Sequence, residues 1–295
     1  MLKSNQKQYL QSLKEHFDRA KIGKTDLLNI IDEAELPESV YNSNAIENST
    51  LTLPDTEKIL LEMEVAKNLD LREVYEAQNL ARITKYIHDK ATVTKLTEET
   101  ITLLHQMLIG NIDDSIAGRF RKEHEYVRVG THIAPAPEHV GRLVENALII
   151  FSSDQLSYFL ERVARFHLEF ETIHPFNDGN GRVGRILINW QLLNLGFPQI
   201  IIRNKGKEKY YDSFGAYRAN KTIEPFLVIL YRALAESLHK RLAYLNGLQI
   251  IKLSDHAKSL GKPTPVLINY ARRQTIPAFR EKGVWKIGIK KLGFS

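Results

Sequence analysis

Apolar residues recur at helical spacing along most of the chain. Residues 53–71, "LPDTEKILLEMEVAKNLDL", open on Pro54 and Asp55 and then repeat apolar positions at that spacing, which predicts an amphipathic helix. Residues 71–90 continue the same period. In "TEETITLLHQMLIG", Thr97 is placed to cap a helix start and Gly110 to stop it. Residues 156–173, "LSYFLERVARFHLEFETI", set Leu156, Phe159, Leu160, Val163, Phe166, Phe170 and Ile173 on one side. "GRILINWQLLNLG" predicts a helix that stops at Gly196, and "PFLVILYRALAESLHKRLAYLNG" a long one ending near Gly247. "HEYVRVGTHIAPAPEHV" reads differently. It alternates, carries β-branched residues and then meets Pro135 and Pro137, which predicts a short hairpin on an otherwise helical body. The pattern is that of a mainly α protein.

Charge adds a boundary. The net charge is +6, but residues from 251 onward hold ten Lys or Arg against two acids, leaving −2 on the first 250. A break near residues 246–250 therefore separates a near-neutral body from a basic tail. In that tail "QIIKLSDHAKSL" predicts a helix and "GKP" a turn. "TPVLINYARRQ" predicts a second helix with Thr264 as N-cap and Pro265 at its first position. "IPAFREKGVWKIG" predicts a hairpin turning at Lys282-Gly283. A length of 295 residues, with 43% hydrophobic and 26% charged, fits a soluble globular protein of one large and one small domain. The absence of cysteine excludes disulfides, a thiol nucleophile and cysteine metal sites. No apolar run nears the ~18–20 residues of a membrane span. The N-terminal "MLKSNQKQYLQSLKEHF" has no apolar signal core, so a cytoplasmic protein without a membrane partner is expected.

The chemistry concentrates in "IHPFNDGNGRVGR", Ile173 to Arg185, between two buried-helix patterns. Gly179, Gly181 and Gly184 fit G-x-G-x-x-G, but a helix precedes them where a dinucleotide-binding unit needs a strand. "IGKTD" lacks the first glycine of a P-loop, since position 18 is Asp18. His167, Glu171 and His174 share a helix face at zinc-ligand spacing, a reading that leaves the glycines and arginines unexplained. What remains is an anion cradle. Gly179, Asn180 and Gly181 let successive amides point into one concavity, and the following helix adds its N-terminal amides. Arg182 and Arg185, three apart, offer guanidinium groups to phosphate oxygens. Asp178 at the rim suits Mg²⁺, and a neutral His174 suits removal of a proton from an attacking hydroxyl.

From His174 to Arg185, "HPFNDGNGRVGR" resembles at every position the signature HPFx(D/E)GNGRxxR of the Fic family. The resemblance implies a Fic-type helical bundle with a small β-hairpin flap, plus a small C-terminal winged-helix-like domain. Residues 1–110 would be an N-terminal helical region with an inhibitory motif, 111–245 the Fic core and 246–295 the basic winged-helix-like domain. It also implies transfer of AMP from ATP-Mg²⁺ to a Tyr, Ser or Thr hydroxyl of a target protein, with this chain itself left open as a target. By motif position His174 would be the general base, Phe176 the core anchor of the loop and Asp178 the Mg²⁺ ligand. Gly179, Asn180, Gly181, Arg182, Val183, Gly184 and Arg185 would hold the phosphates.

Two further segments match in order. "VRVGTHIAPAP" resembles the flap, so Val127, Arg128, Val129 and Gly130 would border the nucleotide. The flap edge would align an extended target by strand addition. "KEKYYDSFGAYR" resembles the segment whose tyrosines approach base and ribose, which nominates Tyr210 and Tyr211. Tyr217 or Arg218 stands where relatives often carry Asn. "SNAIEN" fits the inhibitory pattern (S/T)xxxE(G/N), with Ser43, Glu47 and Asn48 at its fixed positions. Glu47 would pair with Arg185 and withhold it from the γ-phosphate. The expected function is an autoinhibited protein adenylyltransferase, with removal of AMP left open. The alternative is a DNA-binding regulator whose Fic body senses nucleotide and whose residues 246–295 contact DNA. A homodimer is also left open.

Overall fold

The computed structural model of the chain describes residues 1–66 and 69–290. In chain order its helices are α1 (Ser4–Ala20), α2 (Thr25–Ile46), α3 (Leu53–Glu57), α4 (Leu71–Lys90), α5 (Glu98–Ile109), α6 (Val140–Ser153), α7 (Phe159–Ile173), α8 (Asn180–Asn194), α9 (Lys207–Asn220), α10 (Glu224–Leu245), α11 (Leu253–Ser259) and α12 (Thr264–Arg273). The strands are β1 (Arg128–Val129), β2 (His132–Ile133), β3 (Gln249–Lys252), β4 (Ala278–Glu281) and β5 (Val284–Ile289). The mainly α expectation holds. Among the described residues no helix is long and apolar enough to cross a membrane.

α7 and α8 pack on each other at the centre of two cores. Phe166, Phe170 and Ile173 of α7 join Val183, Ile186, Leu187 and Trp190 of α8 in a core shared with α4, α5 and α6. Leu160, Val163, Ala164 and Leu168 turn the other way, toward α1, α9 and α10. α8 is buried nearly all round, its apolar residues in the two cores and its buried Arg182 and Arg185 held by acidic partners. The six residues joining α7 to α8 are therefore pinned at both ends by buried helices. Phe176 adds a third anchor: its ring is fully buried and stacks on His105 at 3.7 Å. Burying such a ring contributes about 1.5–3 kcal/mol.

Several boundaries differ from those expected. The run 53–71 is not one helix. α3 passes into a π-helical turn, Lys58–Glu62, and ends at Met63 with a left-handed φ of 57°. Asp70 starts a new helix by accepting the Arg72 amide at 2.8 Å, a local cap that overrides the continuing period. Residues 67–68 of that run lie outside the described residues. Leu156 is fully exposed ahead of α7, because Asp154 closes a turn onto the Ser157 amide and the helix begins only at Phe159. By contrast, Thr97 caps α5 through the Thr100 amide, and Gly110 follows its last turn.

In the tail, residues 249–252 form strand β3 rather than the start of a helix, pairing antiparallel with β5 from Gln249↔Ile289 to Lys252↔Lys286. Ile250 and Ile251 favour the strand, and β5 supplies the ladder partner that no local pattern reveals. β4 pairs with the other edge of β5 through a turn at Lys282-Gly283. α12 is preceded by Pro263 as N-cap, so Thr264 and Pro265 lie one position deeper than expected. These elements enclose a small core of Leu253, Ala257, Leu267, Ala271, Ala278 and Ile287.

The β4–β5 hairpin is seated on the body by charge. Glu38 of α2 accepts the amides of Lys282 and Gly283, each at 3.0 Å, and pairs with Arg203 at 2.5 Å. Glu236 of α10 joins Arg203 to Arg280.

Candidate active site

The loop after α7 opens on His174, which caps that helix in a left-handed conformation (φ 50°) while its amide still bonds the Phe170 carbonyl at 2.9 Å. Asn180 closes the loop from the other side. Its side-chain amide donates to the Phe176 carbonyl at 2.8 Å and accepts the Phe176 amide at 2.9 Å. Gly179 takes the φ of +79° that starts α8, a region costly for a side chain. The first amides of α8 then face a hollow of about 360 Å³. Its lining includes Glu47, Arg72, Glu76, His174, Asp178 and Gly181. Of the cradle residues named from sequence, Asn180 spends its side chain on the loop, and Val183 is fully buried in the core. Gly184 faces inward, where a Cβ would stand 2.6 Å from Glu171 Oε1. Asn180, Val183 and Gly184 thus serve the cradle through backbone and packing.

His174 is mostly buried, and burial, reinforced by the Arg121 charge, lowers its pKa to about 4. It is neutral at pH 7, as a general base requires. Its Nδ1 has no hydrogen-bond partner and lies 3.9 Å from Glu171 Oε2. Glu171 is pushed up to about 8 by burial and then by the Glu47 charge. His167, the remaining member of the zinc-spaced trio, is buried with its Nε2 2.9 Å from the Tyr210 hydroxyl. Among the described residues no group of three His, Cys, Asp or Glu could hold a metal ion unaided, which overturns the zinc reading.

The two motif arginines meet different partners. Arg185 is buried, and its Nη2 lies 2.8 Å from Glu47 Oε1 and 2.8 Å from the Ser43 carbonyl. Its Nε donates to Ser43 Oγ at 3.0 Å, and Nη1 reaches the Tyr210 hydroxyl at 3.4 Å. Burial is the largest single influence and disfavours the charge, but Glu47 and Tyr210 together outweigh it and raise the Arg185 pKa. Glu47 follows the last residue of α2, and Asn48 after it has a φ of 69°, tolerable for Asn or Gly. Gly181 lets the glutamate in, because a Cβ there would collide with the Glu47 carboxylate. Asn48 is held by Lys207 at 2.8 Å, and the Tyr211 hydroxyl donates to the Ile46 carbonyl at 2.7 Å.

Tyr210 is buried under Arg185 rather than facing the hollow, and Tyr211 is half-exposed against the end of α2. Tyr217 bonds Glu169 and Arg218 reaches the Glu171 carbonyl. Val127, Arg128, Val129 and Gly130 lie on the short hairpin and are not part of the hollow's lining among the described residues.

Arg182 is also buried, 3.0 Å from Glu76 and 3.4 Å from Asp178 Oδ1. Asp178 Oδ1 accepts the Gly179 amide at 2.6 Å, and Oδ2 pairs with Arg72. A single carboxylate beside an amide cradle fits Mg²⁺ carried in with phosphate oxygens, which supply the ligands the protein lacks.

Sequence reasoning missed four residues that build this site. Arg121 donates to the carbonyls of His174, Glu125, Pro135 and Ile173, tying the hairpin segment to the loop. His105 bonds the Asp178 carbonyl at 3.0 Å and accepts the Gly118 amide. Arg72 and Glu76 come from the first turns of α4. A buried His in an otherwise apolar α5 face was the one local signal among them.

Residues 95–192 match the model of the Fic/DOC family. The chain is 30% identical over 226 residues to "Protein adenylyltransferase Fic" of Nematostella vectensis, covering 75% of this chain and 52% of that one. It is 30% identical over 252 residues to the protein of the same name from Drosophila melanogaster, covering 83% and 50%. The chain thus spans about half the length of these curated relatives. The crystal structure of a Fic domain containing signaling protein from Bacteroides thetaiotaomicron superposes with a TM-score of 0.72 at 25% identity, covering 81% of this chain and 97% of that one. A Fic family protein from Desulfovibrio desulfuricans shares the fold over 99% of this chain and 98% of its own, with a TM-score of 0.66 at 20% identity. The signature from His174 to Arg185, the helical fold around it and these likenesses agree: the chain carries a domain of the Fic/DOC family.

Proposed function

We propose that the chain is a protein adenylyltransferase held inactive by its own α2. The observation that carries this reading is the Glu47–Arg185 pair, 2.8 Å long, inside a complete Fic loop. ATP is the substrate, with its phosphates against the first amides of α8 and the two motif arginines. Mg²⁺, held by Asp178, would neutralise phosphate charge. His174, neutral at pH 7, takes the proton of a Tyr, Ser or Thr hydroxyl. The hydroxyl oxygen bonds to the α-phosphorus as the bond to the β-phosphate oxygen breaks, and pyrophosphate leaves. The rate gain comes from positioning and charge stabilisation.

While Glu47 and Ser43 hold Arg185, that arginine is withheld from the γ-phosphate and the triphosphate is not drawn into line. One charge-assisted contact of this kind is worth roughly 1.5–3 kcal/mol, about ten- to hundredfold in occupancy. Glu47→Gly is expected to raise AMP transfer by that order. His174→Ala in the same background is expected to lower it by about 10²–10⁴. Transfer from ATP to protein by the two purified variants checks both. A Glu47→Gly chain no more active than its parent sinks the autoinhibition. Persistence of transfer without His174 sinks its role as base. Removal of AMP by the same Glu47 is read out by incubating a modified target with the parent chain.

A further inference from the structure

Arg72 stands on the carboxylate that a divalent cation would need. Its Nη2 lies 2.5 Å from Asp178 Oδ2, and the other oxygen of Asp178 already takes the Gly179 amide and Arg182. Four charges alternate in a closed ring: Asp178, Arg72, Glu76 and Arg182, with Glu76 Oε1 3.2 Å from Arg72 Nε and 3.0 Å from Arg182 Nη1. The two arginines differ in freedom. Arg182 is buried, whereas the Arg72 side chain is 55% exposed and touches the ring from the open side of the hollow. A metal oxygen bond of ~2.0–2.1 Å to Mg²⁺ needs a carboxylate oxygen without a guanidinium against it.

We propose that Arg72 is a resident counter-cation on Asp178, which Mg²⁺ must displace on arriving with ATP, so that Arg72 sets the metal requirement of nucleotide binding. The exchange is local. The guanidinium leaves Oδ2 while its Nε remains near Glu76, and a doubly charged ion takes over a carboxylate that a singly charged group had neutralised. The site is thereby kept neutral without metal, and free divalent cation alone is held weakly. This inference rests on the reading of Asp178 as the metal carboxylate, and its test separates the two.

The full chain carrying Glu47→Gly is titrated with the non-transferable analogue α,β-methylene ATP by calorimetry, at a series of Mg²⁺ concentrations. Binding of Mn²⁺ in the presence of the analogue is followed in parallel by electron paramagnetic resonance. Arg72→Gln and Arg72→Ala are expected to lower the metal concentration for half-maximal binding about fivefold, or ~1 kcal/mol, the upper end for a part-exposed pair. Asp178→Asn is expected to abolish the metal dependence. If the Arg72 variants need as much metal as the parent, or more, while Asp178→Asn loses the dependence, the counter-cation role is overturned alone. If Asp178→Asn keeps the parent's dependence, the metal assignment itself falls.

Discussion

Ser43 gives Arg185 both its hydroxyl and its carbonyl, so the grip on that arginine, inhibitory on the proposed reading, is shared between serine and glutamate. Ser43→Ala removes one hydrogen bond to a buried charge, worth about 1.5–3 kcal/mol in the latched state. AMP transfer by that variant is expected to rise roughly tenfold above the parent, and less than in Glu47→Gly, in side-by-side initial rates. An unchanged rate would assign the whole latch to Glu47. At this scale the motif residues were legible, because residue type and spacing alone specify which groups can share one loop. Ser43 and Glu47, far along the chain from Arg185, came only from the resemblance of "SNAIEN" to the family's inhibitory pattern. Arg72, Glu76, His105 and Arg121 were not legible. Their partners lie far along the chain, as Arg72 and Asp178 do, and no local period encodes such a pairing. Tyr210 turns into the core and Tyr211 outward, and nothing in "KEKYYDSFGAYR" says which of two adjacent tyrosines does which.

The element that carries the site is the α7–loop–α8 unit, and its glycines do two jobs. Gly179 supplies the turn. Gly184 lets α8 lie close on α7, where Glu171 and His167 leave no room for a Cβ. Gly184→Ala is expected to cost about 1–3 kcal/mol by overpacking, and Phe176→Ala about 3–5 kcal/mol through loss of its buried ring. Urea unfolding followed by circular dichroism measures both, and a value near zero for either would show that the loop is not anchored as described. Helix existence was readable wherever apolar spacing ran long, as in α5 with its Thr97 cap and Gly110 stop. It failed at residues 53–71, where Asp70 restarts the helix, and at residues 249–252, where a distant strand recruits a segment of ambiguous period.

The whole molecule is expected to weaken in mild acid. Burial holds His105, His174 and His239 at about 4 and His167 at about 3. Unfolded, each would bind a proton near pH 6.5. Between pH 6.5 and 4 the unfolded chain therefore binds more protons, and stability falls as pH falls through that window. Glu171 acts oppositely. Raised to about 8, it is protonated in the fold and ionised in the unfolded chain, so it favours the fold less as pH rises from 4.5 to 8. A melting temperature that drops steadily from pH 6.5 to 4 is the expected result, and a flat profile would contradict the buried neutral histidines.

The tail and α2 are joined at Glu38, nine residues before Glu47 on the same stretch of chain. Glu38→Ala leaves two hairpin amides without their acceptor and Arg203 with Glu236 alone, at about 1–3 kcal/mol in urea unfolding.

On the proposed function, the loop from His174 to Arg185 directs a hydroxyl at the α-phosphorus of ATP once Glu47 lets go. Two incubations of the Glu47→Gly chain decide this, one with ATP radiolabelled at the α-phosphorus and one with the label at the γ-phosphorus. Incorporation into protein from the α-label and none from the γ-label is predicted. Incorporation from the γ-label, or from neither, would contradict it.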